Sequence, residues 1–147
     1  MKMQSGRDAF EAAQQVRRAV FMEEQGYQNE FDAIDEDDRC VHVALVEGGN
    51  PLGCARVFPV ELEPDCETAP GRWVFGRLAV MPQVRKGGLG SELLVESERI
   101  VQSRGGTELH LHAQCQAQGF YEKHGYVPYG EIGYDEGEPH QWMMKRL

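Results

Sequence analysis

No window of the 147-residue chain approaches the roughly 18 consecutive apolar residues of a membrane helix, and residues 1–10 hold no basic start followed by an apolar run. A membrane span and a secretory signal are therefore not expected, and the expectation is a cytoplasmic protein. Cys40, Cys54, Cys66 and Cys115 form no CxxC pair, which excludes zinc-ribbon and thioredoxin-like readings and leaves four reduced thiols. Positive charge is also scarce. With 15 Lys and Arg against 24 Asp and Glu, the formal charge of −9 argues against a nucleic-acid partner, which selects a basic face. An acidic surface favours approach of a cationic small molecule, or serves solubility alone. The triphosphate loop GxxxxGK[ST] is missing and GxGxxG is incomplete, so neither P-loop nor dinucleotide binding is supported. The acidic stretch 30–38 lacks the DxDxDG order of a calcium loop, and there is no repeat or low-complexity segment.

What is present suits one compact domain over residues 1–147, with 41% hydrophobic residues and one active site. Phe10, Ala13, Val16, Val20 and Phe21 recur at helical spacing over 8–22, with Ser5 or Asp8 near the start. Residues 40–47 and 52–60 are β-branched runs joined by Gly48-Gly49-Asn50-Pro51, an antiparallel hairpin that Pro59 should end. A loop over 61–72 leads to a third strand over 73–80, broken by Pro82. Leu89, Leu93, Ile100 and Val101 share one face of a helix that starts near Gly88 and stops at Gly105-Gly106. A strand over 108–113, a short helix over 116–124 closed by Gly125, and strands over 127–134 and 141–146 complete an α/β layered domain with a mixed sheet.

The segment 85–91, Arg-Lys-Gly-Gly-Leu-Gly-Ser, lies between the third strand and its helix. Glycines let backbone amides approach a ligand, and a helix start offers unpaired NH groups and partial positive charge, so RxxGxG at Arg85, Gly88 and Gly90 reads as an anion cradle or as an ordinary glycine turn. Arg85 and Lys86 put two positive charges there in an otherwise acidic chain.

Leu78-Ala79-Val80, this RxxGxG, and Phe120-Tyr121-Glu122-Lys123-His124-Gly125-Tyr126, in that order, resemble the GNAT superfamily of acyl-CoA-dependent N-acetyltransferases. The segment 16–25, Asp32, Asp35, Cys40-Val41-His42 and Glu136-Gly137-Glu138-Pro139-His140 resemble its small ElaA/YjcF-like branch. The resemblance implies a GNAT-like fold: a mixed, mostly antiparallel sheet, flanked by helices and splayed between the strand before the glycine loop and the strand after its helix. It implies acetyl-CoA in that cleft as co-substrate, with no metal, and a primary amine of a small molecule as partner. Relatives begin with a strand, which residues 1–4 would supply, and the fold is compatible with a homodimer. Leu78, Ala79 and Val80 would meet pantetheine through their backbones, and Lys86, Gly87, Gly88, Leu89, Gly90 and Ser91 would hold the pyrophosphate, Arg85 adding charge.

Acetyl transfer needs a polarised carbonyl, a neutral amine and a proton for the leaving thiolate. Tyr121 matches the family tyrosine that donates this proton; its alternative is packing beside Phe120. Residues 73–80 contain no carboxylate, so the strand glutamate that some members use as base is missing. His140 is the candidate in its place, since imidazole titrates in the useful range, with a structural histidine or water as alternative. His110 and His112 share a strand face and with Cys115 raise a metal reading, which lacks a fourth ligand. His42 reads as a core histidine and His124 as a helix cap. For the acceptor, Glu24 is placed toward the amine, and Arg56 and Arg77 either meet an acceptor carboxylate or phosphate or pair with carboxylates of the chain. The functional expectation is direct transfer in a ternary complex. Its rivals are a covalent route through Cys115 and a CoA-binding regulator with little turnover.

Overall fold

Gly48 and Gly49 both adopt positive φ, 56° and 82°, and this two-residue turn joins strand β2 (Val41–Glu47) to β3 (Asn50–Pro59). The computed structural model describes residues 1–28 and 30–147. Strand β1 (Lys2–Ser5) lies antiparallel to β2, with Lys2 opposite Val46, so residues 2–5 supply the first strand. Then follow β4 (Arg72–Val80), β5 (Glu108–Gln114), β6 (Val127–Asp135) and β7 (Glu138–Arg146), in the spatial order β1-β2-β3-β4-β5-β7-β6. Only β4 and β5 run parallel, which makes the mixed, mostly antiparallel sheet.

Helix α1 (Arg7–Arg17) covers one sheet face, where Ala13, Val16, Val20 and Phe21 pack with Cys54 and Ala79. Helix α2 (Leu89–Ser103) covers the other, where Leu93, Leu94 and Val101 meet Val43, Val57 and Leu109. The short helix α3 (Gln118–Lys123) carries Tyr121 to the edge of that second core. Gly106 closes the end of α2 against β4: a side chain there would press on Val101 and lie 2.9 Å from the Trp73 ring.

Two boundaries differ from the periodicity. After Arg17 the helix widens into a π-helical stretch, Arg18–Glu24, in which Gln25 N–H donates to the Val20 carbonyl at 3.1 Å. Val20 and Phe21 of this stretch are both buried. Strand β7 begins at Glu138, earlier than the apolar run at 141 suggests, because Glu136 (φ 52°) and Gly137 (φ 79°) turn tightly enough to pair Asp135 with Glu138. His140 is thereby a strand residue.

Two features open the sheet. Strand β4 pairs with β5 only from Arg72 opposite Glu108 to Phe75 opposite Leu111, after which the two separate while β5 stays paired with β7 as far as Gln114 and His140. Beyond that point β4 also bulges. Its register against β3 shifts between Cys54 and Arg56, and Arg77 takes a left-handed φ of 53°. Such a bulge bends the strand and increases its twist.

A buried ionic network ties the segment after α1 to this opening. Arg17, 1% exposed, donates from Nε to Glu30 at 2.8 Å and from Nη1 to Asp35 at 2.7 Å. Arg56 donates to Asp32 at 2.7 Å and to Asp35 at 2.8 Å, and Arg77 lies 2.9 Å from the Glu30 carboxylate. Burial pushes Glu30 up, against Arg77 and Arg17. Burial also opposes ionisation of Asp35, but the Arg17 hydrogen bond and the charges of Arg56 and Arg17 outweigh it and hold the carboxyl down to about 2. An unfolded aspartate titrates near 3.9. The folded value is the lower one, so this group's contribution to stability is full above pH of about 4 and is lost as pH falls toward 2. Removing one partner of a buried pair strands the others, so Arg17→Met should lower the unfolding free energy by about 3–5 kcal/mol in urea titrations at pH 7, and flatten the acid loss of stability between about pH 4 and 2.

Candidate functional site

The parting of β4 and β5 creates a cleft of about 600 Å³. Its walls are Gly76 to Leu78 of β4 and His112 to Gln114 of β5; Phe120 and Tyr121 close one side, His140 and Trp142 of β7 another. The cleft passes through the sheet. Phe75, Leu111 and Tyr121 belong to the core under α2, whereas Val74, Phe58 and Trp142 belong to a cluster on the opposite face.

At the end of β4, Leu78 and Val80 are half-buried and Ala79 is buried, on a strand whose edge toward β5 has no ladder partner from Gly76 onward. An amide-bearing ligand can pair with such an edge. The loop that follows has Arg85, Lys86, Gly87 and Gly88 exposed, with left-handed Lys86 (φ 75°) and Gly88 (φ 79°), and leads into Leu89, Gly90 and Ser91 at the start of α2. These amides are the unpaired ones of a helix start, a setting that fits a pyrophosphate. Gly90 sits where a Cβ would touch the Phe120 ring at 3.4 Å, and Ser91 shares a 2.9 Å hydrogen bond with His124, so the loop and α3 are held side by side.

Arg85 is engaged elsewhere than expected. Its Nε donates to the Val80 carbonyl at 2.9 Å, and its Nη1 and Nη2 grip both carboxylate oxygens of Glu24 at 2.8 and 2.6 Å. Glu24, expected to face the acceptor amine, instead stands at the glycine loop, its carboxyl held low by the Arg85 hydrogen bonds. Arg56 and Arg77 do border the cleft, yet their charge is met by Asp32, Asp35 and Glu30. The pairing alternative is the one the structure contains, because two guanidinium groups at a sheet opening need buried counterions.

Tyr121, 8% exposed, packs edge-on against Phe75, Phe120 and Tyr126, and its hydroxyl has no hydrogen-bond partner among the described residues. Burial pushes the phenol up, so it stays protonated at neutral pH. His140, 5% exposed, places Nδ1 at 2.8 Å from the Glu138 carbonyl. That oxygen can only accept, so Nδ1 is the donor, and Nε2 has no hydrogen-bond partner among the described residues. Cys115 does not line the cleft; its sulfur receives the Gln118 side-chain amide at 3.8 Å.

The remaining histidines separate. His110 lies 2.7 Å from the Tyr129 hydroxyl and 3.0 Å from Glu108, His42 stacks on Phe10 at 4.1 Å in the core, and His124 ends α3 against Ser91. His112 does not join His110. Exposed at the mouth of the cleft, it lies with its ring 4.9 Å from His140 and 5.0 Å from Trp142, and partial desolvation among these rings together with the neighbouring His140 holds its imidazole low. His112, Trp142 and the lining carboxylates Glu63, Asp65 and Asp135 were not singled out as site residues from the sequence. The alternation of β5 was the one signal for His112, and it needed the β5–β7 register to become useful.

A family model described as acetyltransferase (GNAT) matches residues 7–126. A Bacillus subtilis protein assigned as an acetyltransferase is 37% identical over 135 residues, covering 90% of this chain and 86% of that protein. The uncharacterised N-acetyltransferase YjcF of the same organism is 30% identical over 131 residues, 88% of this chain and 87% of its own length. Escherichia coli ElaA is 29% identical over 90% of this chain and 84% of its own. In its crystal structure ElaA superposes with a TM-score of 0.82 at 24% identity over 98% of both chains.

The Glu24–Arg85 pair is exposed and screened by salt, so it is a soft clamp on the glycine loop. Glu24→Gln frees the guanidinium for an incoming phosphate. Acetyl-CoA should bind a few-fold tighter at low ionic strength, with the gain vanishing in about 0.5 M salt, measured by calorimetry. Weaker binding would mean that Glu24 positions the loop.

Proposed function

The chain belongs to the acetyltransferase (GNAT) family, and from that premise we propose that it transfers the acetyl group of acetyl-CoA to a primary amine of a small molecule, by direct attack in a ternary complex. One observation carries the reading: the unpaired edge of β4 leads from the cleft that Tyr121 and His140 border, at Gly76 to Leu78, directly into the glycine loop, whose Gly90 faces the Phe120 ring of the cleft lining. Acetyl-CoA supplies an acyl thioester with a thiolate leaving group. The β4 edge at Leu78, Ala79 and Val80 holds the donor extended, and amides at 86–91 neutralise its pyrophosphate. A backbone N–H near Leu78 or Ala79 polarises the carbonyl.

His140 takes the base role that a strand carboxylate has in other members. Its Nδ1–H is anchored on Glu138, which orients Nε2 to accept a proton from the attacking amine. Tyr121 gives its phenolic proton to the departing thiolate. Burial keeps the phenol protonated at neutral pH, so the proton is there to give, although it also makes the phenol a weaker acid. Cys115 lies outside the lining, which favours direct over covalent transfer.

Tyr121→Phe should lower kcat by about 10²–10⁴ while the Kd for CoA stays within about twofold. His140→Ala should remove the rise of log kcat/KM with pH on the acid side of the profile. Wild-type turnover in the first variant would end the acid assignment, and an unchanged profile in the second would hand the base role to water. Thermal stabilisation by acetyl-CoA with no thiol release against a broad amine panel would establish the regulator instead.

A further inference from the structure

Charge is distributed unevenly in the cleft. Its floor is electrically closed: Arg17, Arg56 and Arg77 are matched by Glu30, Asp32 and Asp35. No cation of that floor is left over for an acceptor carboxylate. The rim differs. Glu63 and Asp65 come from the loop after β3 and Asp135 from the end of β6, and among the described residues none of the three has a cationic partner.

Both sides of the rim face one wall. The charges of Asp135 and Asp65 each act on His112, which stacks on Trp142 and His140. Glu63 is pushed up by burial and by the nearby charge of Asp65, although the Asp65 backbone N–H donates to it at 3.4 Å. A half-buried carboxylate pushed that way is one that an incoming cation relieves.

A second observation concerns the other end of the ligand. His140 is 5% exposed, yet its Nε2 meets no protein partner among the described residues. The same cleft therefore holds an unpartnered imidazole nitrogen and a rim of carboxylates. The Trp142 and Phe58 rings of its lining suit a methylene chain. Resting on the acetyl-transfer reading, we propose that the acceptor is a small dication, an α,ω-diamine or longer polyamine: one amine reacts at His140 while Glu63, Asp65 and Asp135 hold a second ammonium.

The test compares 1,4-diaminobutane, butylamine and glycine as acceptors, and measures 1,4-diaminobutane binding to the CoA-loaded protein by calorimetry. The diamine should exceed butylamine in kcat/KM on the order of tenfold, through KM, as a charge-assisted contact gives. The advantage should shrink with added salt, and the double variant Glu63→Gln, Asp65→Asn should erase the difference between the two amines. Butylamine or glycine used as well as the diamine would overturn the dication site while leaving acetyl transfer intact. Diamine binding that the double variant weakens, without any turnover, would support the dication site and condemn the transfer reading. Absence of diamine binding overturns the proposal outright.

Discussion

Three guanidinium groups and three carboxylates at the point where the sheet opens, with Arg17, Arg56, Glu30 and Asp35 buried, are the constraint on which the rest of the site depends. Arg17 comes from the last turn of α1, Arg56 from β3 and Arg77 from the bulge of β4, and all converge on Glu30, Asp32 and Asp35 of one connecting segment. Each charge would be costly in that position alone, so the network locks the segment against the sheet at an all-or-none geometry. That segment lines the cleft through Glu30, and the π-helical stretch preceding it delivers Phe21 to the same wall. The arginine-lined wall of the cleft is thus organised by electrostatics, whereas the open β4 edge is organised by strand geometry.

Those two origins explain what was legible in the sequence. The strand, loop and helix start are local: Leu78, Ala79 and Val80, the glycine turn and the start of α2 lie within a short span, and their spacing and residue types lead to a strand, a turn and a helix. The β2–β3 hairpin and the faces of α1 and α2 follow equally from Gly48-Gly49 and helical periodicity. The charge pairs are assembled across the chain. Glu24 meets Arg85 at a separation of 61 residues, Arg77 meets Glu30 at 47, and Arg56 meets Asp32 at 24. No periodicity encodes such pairings, which is why neither the Glu24–Arg85 contact nor the partners of Arg56 and Arg77 can be read from the sequence.

His140 and His112 show the same division. Their residue types drew notice, but their chemistry depends on the β5–β7 register, which brings a residue of each strand into ring contact. Turn geometry at Glu136-Gly137 sets that register by starting β7 at Glu138, and it also supplies the carbonyl on which His140 Nδ1 is fixed. A tight turn at the sheet margin therefore decides which imidazole nitrogen is available to a substrate.

The cleft's passage through the sheet has a kinetic consequence. Four residue pairs hold β4 to β5 at one end, and the space beyond them is walled by side chains from both layers of the molecule. Two ligands entering from opposite faces, one along the α2 side and one past Trp142, would meet inside the sheet. Neither would block the other's doorway, and such an opening would impose no compulsory order of arrival.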